Sequence, residues 1–203
     1  MIKRTMAAGA ILGMALFSSL AWSAGSAERG ATKAVACSAC HGADGNSVNP
    51  QWPSLAGLGA DYIAGQLKNF KDGKRVSPMM MPMVTNLSAD DMADIGAYFA
   101  SLPNKGLEAD PTYWQAGQKL FRSGDATRAI PACMACHGPA GYGTPAAQFP
   151  ALRGQHSVYV VKQLQDYASG ARTTGPNNIM QEIAKKLSAD DMRNVASYLQ
   201  GVR

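Results

Sequence analysis

Cys37-Ser38-Ala39-Cys40-His41-Gly42 decides how the rest of the chain is read, because it returns 96 residues later as Cys133-Met134-Ala135-Cys136-His137-Gly138. Self-similarity at a near-constant offset marks a duplicated unit. Working outward, Trp52-Pro53-Ser54-Leu55-Ala56-Gly57 returns as Phe149-Pro150-Ala151-Leu152-Arg153-Gly154 at an offset of 97. At that offset Tyr62, Gln66, Leu67, Phe70, Gly73 and Arg75 meet Tyr159, Gln163, Leu164, Tyr167, Gly170 and Arg172. Leu87-Ser88-Ala89-Asp90-Asp91-Met92 returns unchanged as Leu187 to Met192 at an offset of 100. The drift implies one and then three extra residues in loops of the second half, where insertions are tolerated.

Pro103, Asn104 and Gly106 break the helical pattern between the halves. The expected division is 24–106 for a first domain and 107–203 for a second. Each half reads as three helices joined by Gly/Pro-rich loops. Thr112 to Phe121 reads as a short amphipathic helix. Tyr159, Gln163-Leu164 and Tyr167 share one helical face. Ser188 with Asp191, and Ser88 with Asp91, have the spacing of a helix N-cap and its reciprocal partner. The apolar stripe that follows is Met192, Val195, Ala196 and Leu199 in one half and Met92, Ile95 and Phe99 in the other. Alternating strand patterns are nearly absent, so the fold class is mainly α with two similar domains.

The chain has 203 residues, 46% hydrophobic but only 7% aromatic, and 19 basic against 14 acidic residues. The basic residues are dispersed, with pairs such as Lys74-Arg75 and Lys185-Lys186 and no longer run, which argues against a nucleic-acid partner. Residues 1–23 read as a secretory signal: Lys3 and Arg4, then an uncharged, mostly apolar stretch from Met6 to Leu20, then Ala21-Trp22-Ser23 before a cut. A retained anchor is the alternative, but a spanning helix needs about 20 apolar residues. Cleavage would leave a net charge of +3, carried by the second half, since the first half balances seven basic against seven acidic residues.

An exported chain with four cysteines invites two disulfides, but the spacing argues otherwise. C-x-x-C-H is the attachment signature for c-type haem. Two thiols one helical turn apart can form thioethers to the two vinyl groups of one haem, with the adjacent histidine as proximal ligand. A zinc site wants paired motifs about 15 to 20 residues apart, whereas Cys40 and Cys133 are separated by 92 residues. A thioredoxin-like dithiol wants a βαβ pattern that is missing. Cys37, Cys40, Cys133 and Cys136 are therefore candidate attachment points for two haem c groups, and His41 and His137 candidate axial ligands.

The sixth ligand decides whether such an iron binds gas, does chemistry or passes electrons. Met79, Met80, Met81 and Met83 crowd one stretch of the first half, and the second has the single counterpart Met180. Met180 stands eight residues before Ser188, as Met80 stands eight before Ser88. The repeat selects Met80 and Met180, with Met83 and Met79 as fallbacks. Met92, Met192 and Met134 suit core packing. Pro53 and Pro150 follow the histidines by 12 and 13 residues and are either simple turn residues or the outer shell that a ligating histidine needs.

This combination resembles the class I cytochromes c, and its tandem layout resembles the di-haem cytochrome c4 family over the whole mature chain. The supporting matches are the run Cys37 to Ser47, Gln66-Leu67 and the Leu-Ser-x-x-Asp helix starts. Pro139-Ala140-Gly141 departs from Ala43-Asp44-Gly45 in the second motif. The resemblance implies that the Pro53 and Pro150 carbonyls accept the proximal histidine hydrogen bonds. It also implies a periplasmic carrier of one electron per haem. Its donor would be a quinol-oxidising bc complex or a dehydrogenase, and its acceptor a terminal oxidase; peripheral association with the membrane is compatible with this. An electron-transfer subunit of a larger oxidoreductase and a di-haem peroxidase are the alternatives; paired methionines argue against the peroxidase. Arg75 and Arg172 are candidates for haem propionate contacts, the alternative being solvated helix ends. Trp52 and Phe149 are expected near the haems, Tyr98-Phe99 and Tyr198-Leu199 against the first helix of each half, and His156 on the surface. The positive bias of the second half predicts the higher reduction potential there.

Overall fold

The structure is a computed structural model that describes residues 25–202; the expected signal segment lies outside them. Ten α-helices are present among the described residues, five from each half, and there is no named strand. The first half holds α1 (Ala27–Lys33), α2 (Val35–His41), α3 (Ala60–Lys71), α4 (Met80–Val84) and α5 (Ala89–Ser101). The second holds α6 (Trp114–Ser123), α7 (Met134–His137), α8 (Ser157–Ser169), α9 (Ile179–Ala184) and α10 (Ala189–Gly201). The three helices per half expected from apolar periodicity are joined by α4, α9 and the separate helices that carry the Cys motifs, each too short to show a period. α6 also starts later than Thr112, because Asp110 accepts from the Thr112 N–H and holds the chain in a turn there.

Each half closes where its first helix crosses its last. Gly30 of α1 lies against the Asp94 carbonyl and Tyr98, and Gly117 of α6 against the Asn194 carbonyl and Tyr198. A Cβ at either glycine would overlap that carbonyl oxygen. This close approach places Phe99 and Leu199 in the cores and brings Tyr98 and Tyr198 against the first helix of each half. The last helices begin as expected: the Ser88 and Ser188 hydroxyls accept from the Asp91 and Asp191 N–H groups, and those carboxylates accept from the serine N–H groups. Two separate cores follow, one around Ile63, Leu67, Phe70, Val84, Ile95 and Phe99, the other around Leu120, Phe121, Ile130, Val160, Val195 and Leu199.

The extra residues of the second half sit in short 3-10 turns at Pro145–Ala147 and Pro176–Asn178. The latter is made by two asparagines in left-handed conformation, Asn177 and Asn178. A third insertion lies ahead of the second motif: Gly30 and Gly117 are 87 residues apart, against 96 for the cysteines. The added segment forms a small loop pinned by the Asp125–Ile130 bridge and by Arg128, which pairs with Asp125 and Asp191.

The halves pack through a near-symmetric polar network. Arg75 donates to Gln66 Oε1 (2.8 Å) in its own half and to Gln163 Oε1 (2.7 Å) and the Tyr159 hydroxyl (2.9 Å) across the interface. Arg172 donates to Gln163 Oε1 (2.8 Å) in its own half and to Gln66 Oε1 (3.0 Å) and the Tyr62 hydroxyl (3.1 Å) across it. Each guanidinium also lies 4.6 Å from a ring centroid, Arg75 over Phe70 and Arg172 over Tyr167. Arg172 is buried, so it is not a solvated helix end. His156 corrects another expectation: it is buried, and its Nε2–H donates to the Ser47 carbonyl of the first half at 2.7 Å.

Asp94 gives the first half an acid-sensitive clamp. Its buried carboxylate accepts from Arg29 Nε and Nη2, from the Ser26 N–H and from Lys33. The Arg29 hydrogen bonds foremost, then the Ser26 N–H, hold it well below the usual carboxylate range. Asp91 is held at about 2, by Lys33 first and Ser88 next. A depressed folded-state pKa stabilises above the unfolded value of about 3.9 and ceases to do so as pH falls through the folded value. Thermal melts of the first domain should therefore be level from neutral pH to about 4 and fall steeply towards pH 2. Asp94→Asn should melt lower near neutral pH and lose part of that slope; an unchanged slope would contradict the assignment.

Candidate haem-binding sites

The two motifs present the same donor set. Cys37, Cys40 and His41 occupy the last turns of α2; Cys133 is the N-cap of α7, and Cys136 and His137 lie within it. No disulfide joins the four cysteines, and all four are half-buried. Burial pushes the Cys37 thiol up, and Cys133 up to about 11. Both histidines are buried. Their Nδ1 atoms lie 2.7 Å from the Pro53 carbonyl oxygen and 2.9 Å from that of Pro150, so Nδ1–H donates and Nε2 is left free. Burial lowers both imidazole pKa values and the carbonyl contact partly restores them. A neutral ring with a free Nε2 and a fixed plane is what an iron ligand requires.

Glycines shape the turns after the motifs. Gly42 and Gly138 leave the helices with φ of 85° and 78°. Gly45 and Gly141 carbonyls each accept from two successive N–H groups of the proline loop, Leu55 and Ala56 in one half, Leu152 and Arg153 in the other. These bonds carry Pro53 and Pro150 to the histidines. Phe149 lies 6.1 Å from the His137 ring between centroids.

The four methionines of the first half differ in exposure. Met79, Met81 and Met83 are exposed, whereas Met80 is half-buried and packs on the first core. Met180 is likewise half-buried, on α9. Met92 and Met192 are buried and Met134 packs against the second core. Among the described residues no cluster of three or more His, Cys, Asp or Glu could hold a free metal ion. The residues present fit haem c: paired free thiols one turn apart, a neutral buried imidazole beside them and a half-buried thioether in each half. Arg75 and Arg172 are engaged at the domain interface by glutamine and tyrosine side chains.

Gln155 and His156 are interface residues that the repeat concealed. Their counterparts are Leu58 and Gly59. The readable signal was that departure itself: where one copy turns apolar positions into polar ones, the polar side chains serve something the other copy lacks.

The cytochrome c family model matches residues 27–103 and again 114–203. Cytochrome c4 of Pseudomonas aeruginosa is 50% identical over 184 residues, covering 90% of this chain and 92% of that one. A thiosulfate dehydrogenase electron acceptor of Stutzerimonas stutzeri is 38% identical over 173 residues, covering 83% of this chain and 80% of that one. The crystal structure of reduced recombinant cytochrome c4 from Pseudomonas stutzeri superposes with a TM-score of 0.86 at 43% identity, covering 89% of this chain and all of that one.

Proposed function

The chain belongs to the di-haem cytochrome c4 family, and on that footing we propose that His41 with Met80, and His137 with Met180, are the axial ligand pairs through which it holds one electron per domain. It is an electron-transfer protein and not an enzyme, with two covalently bound haem c groups. The haem supplies an iron that changes between ferric and ferrous states. The chain's own residues do the rest. Cys37, Cys40, Cys133 and Cys136 tether the group, and Pro53 and Pro150 orient the imidazoles. Met80 and Met180 would offer the iron soft thioether donors, which favour the ferrous state.

The observation that carries this reading is the twofold occurrence of a buried imidazole tied at Nδ1 beside two cysteines that no disulfide joins. A reduced-minus-oxidised spectrum should show the thioether-to-ferric-iron band near the red edge, with an intensity for two haems per chain. High-spin signals, or ready binding of carbon monoxide to the native protein, would overturn it.

The domains we assign are 24–106 and 107–203, after a cleaved signal at 1–23, with the mature protein working in the periplasm or on the outer face of the inner membrane. Among the described residues no helix is long and apolar enough to cross a membrane. Electrons would arrive from a quinol-oxidising bc complex and leave for a terminal oxidase. A dehydrogenase donor is the second reading, favoured by the relative named as a thiosulfate dehydrogenase electron acceptor. Stopped-flow reduction by a bc complex with quinol, compared with reduction by thiosulfate and its dehydrogenase, separates the two.

A further inference from the structure

The Pro53–Ser54 peptide is held at both ends. Its carbonyl accepts from His41 Nδ1–H at 2.7 Å. Its N–H donates at 2.9 Å to Gln155 Oε1, a side chain of the other domain. Gln155 Nε2 in turn donates to the Ser54 carbonyl at 2.8 Å, and Gln155 Oε1 also accepts from the His156 N–H at 3.1 Å. The amide therefore pairs with both backbone groups of Ser54 as a neighbouring strand would. Ser54, Gln155 and His156 are all buried, and the His156 contact to the Ser47 carbonyl fixes the same loop a few residues away. The arrangement is one-sided. Leu58 stands where Gln155 stands in the repeat, so that position of the first domain carries no amide to match it.

We propose that Gln155 is a positioning residue through which the second domain sets the reduction potential of the first domain's iron. The proposal rests on the reading of His41 as an axial ligand. An acceptor on a peptide N–H pushes electron density onto the carbonyl of the same peptide, because hydrogen bonds in series polarise one another. The Pro53 oxygen becomes the stronger acceptor, the His41 ring becomes more electron-donating, and a more donating ring favours the ferric state. The first domain is thereby held at the lower potential.

Two variants of the full holoprotein separate polarisation from simple disruption. Gln155→Met keeps the volume and loses every hydrogen bond, so the first-domain wave of a redox titration should rise. A threefold to tenfold change in that equilibrium is a rise of about 30 to 60 mV at 59 mV per tenfold for one electron. Gln155→Glu keeps an acceptor for the Ser54 N–H and charges it, so the same wave should fall. The His41 ring N–H resonance of the reduced protein should move upfield in the first variant and downfield in the second, while that of His137 stays. Waves are assigned to domains by NMR of the haem methyl groups. Shifts of the same sign in both variants, an unmoved first-domain wave, or an equal shift of both waves would overturn the proposal. Failure of the underlying ligand reading looks different: the wild-type His41 ring protons would then lack haem-induced shifts, whatever the variants do.

Discussion

Gly117→Ala is expected to cost the second domain about 3 kcal/mol, the upper part of the usual range for overpacking. Alanine is the better helix former by about 1 kcal/mol, so propensity alone predicts a gain. The clash reverses it, because the added Cβ meets the Asn194 carbonyl, and backbone of a second helix cannot swing aside as a side chain can. Gly30→Ala should do the same to the first domain through the Asp94 carbonyl. Gly65, inside α3, is the internal control, since nothing lies within 4 Å of a Cβ built there; Gly65→Ala should be neutral or stabilise by up to about 1 kcal/mol. Thermal and denaturant melts of the holoproteins decide it. A Gly117→Ala protein as stable as the parent would mean that α6 and α10 do not cross at that glycine.

The second large effect is on potential. Met180→His exchanges a thioether for imidazole, a harder and more donating ligand. The second-domain wave should fall by a sizeable part of the roughly 0.8 V over which axial ligands set haem potentials. The red-edge band should drop to half its intensity, and the first-domain wave should stay in place. Met80→His should produce the mirror result. If Met180→His instead removes the first-domain wave, the pairing of methionines with domains is wrong. If Met79→Leu or Met83→Leu abolishes half of the band, the fallback ligands replace Met80. The exposure of Met79, Met81 and Met83, against the half-buried Met80, is the structural ground for choosing the last.

Much of this is legible in the sequence, for a physical reason. The haem motifs are local: two thiols and an imidazole must lie within one helical turn, so their chemistry is compressed into five residues. The capping pairs Ser88–Asp91 and Ser188–Asp191 are equally local and were equally legible. α4 and α9, of five and six residues, were missed because one turn shows no period. The added loop before Cys133 was missed because the repeat was aligned from the cysteines onward; Gly30 and Gly117 carry the shorter offset, but a lone glycine shows its role only when a second helix lies against it. His156 and Gln155 were misjudged or passed over because burial at a domain interface depends on residues about a hundred positions away. Arg75 and Arg172 attracted notice through their repetition, yet sequence could not show that glutamines and tyrosines of both halves hold them.

That arginine network has a consequence for how the two halves came to be one chain. Every cross-domain contact made by Arg75 has its reciprocal in Arg172: Gln163 answers Gln66, and Tyr159 answers Tyr62. Such an interface is isologous, the kind that relates identical subunits by a twofold axis. Two copies of one domain bearing this surface would have all that the contact requires. The connecting segment adds only effective concentration. It relieves the pair of any need to find each other, and it leaves each copy free to diverge, as Gln155 has from Leu58. The polypeptide is in this sense a homodimer written twice along one strand, with its symmetry kept in the arginine network and given up at Gln155 and His156.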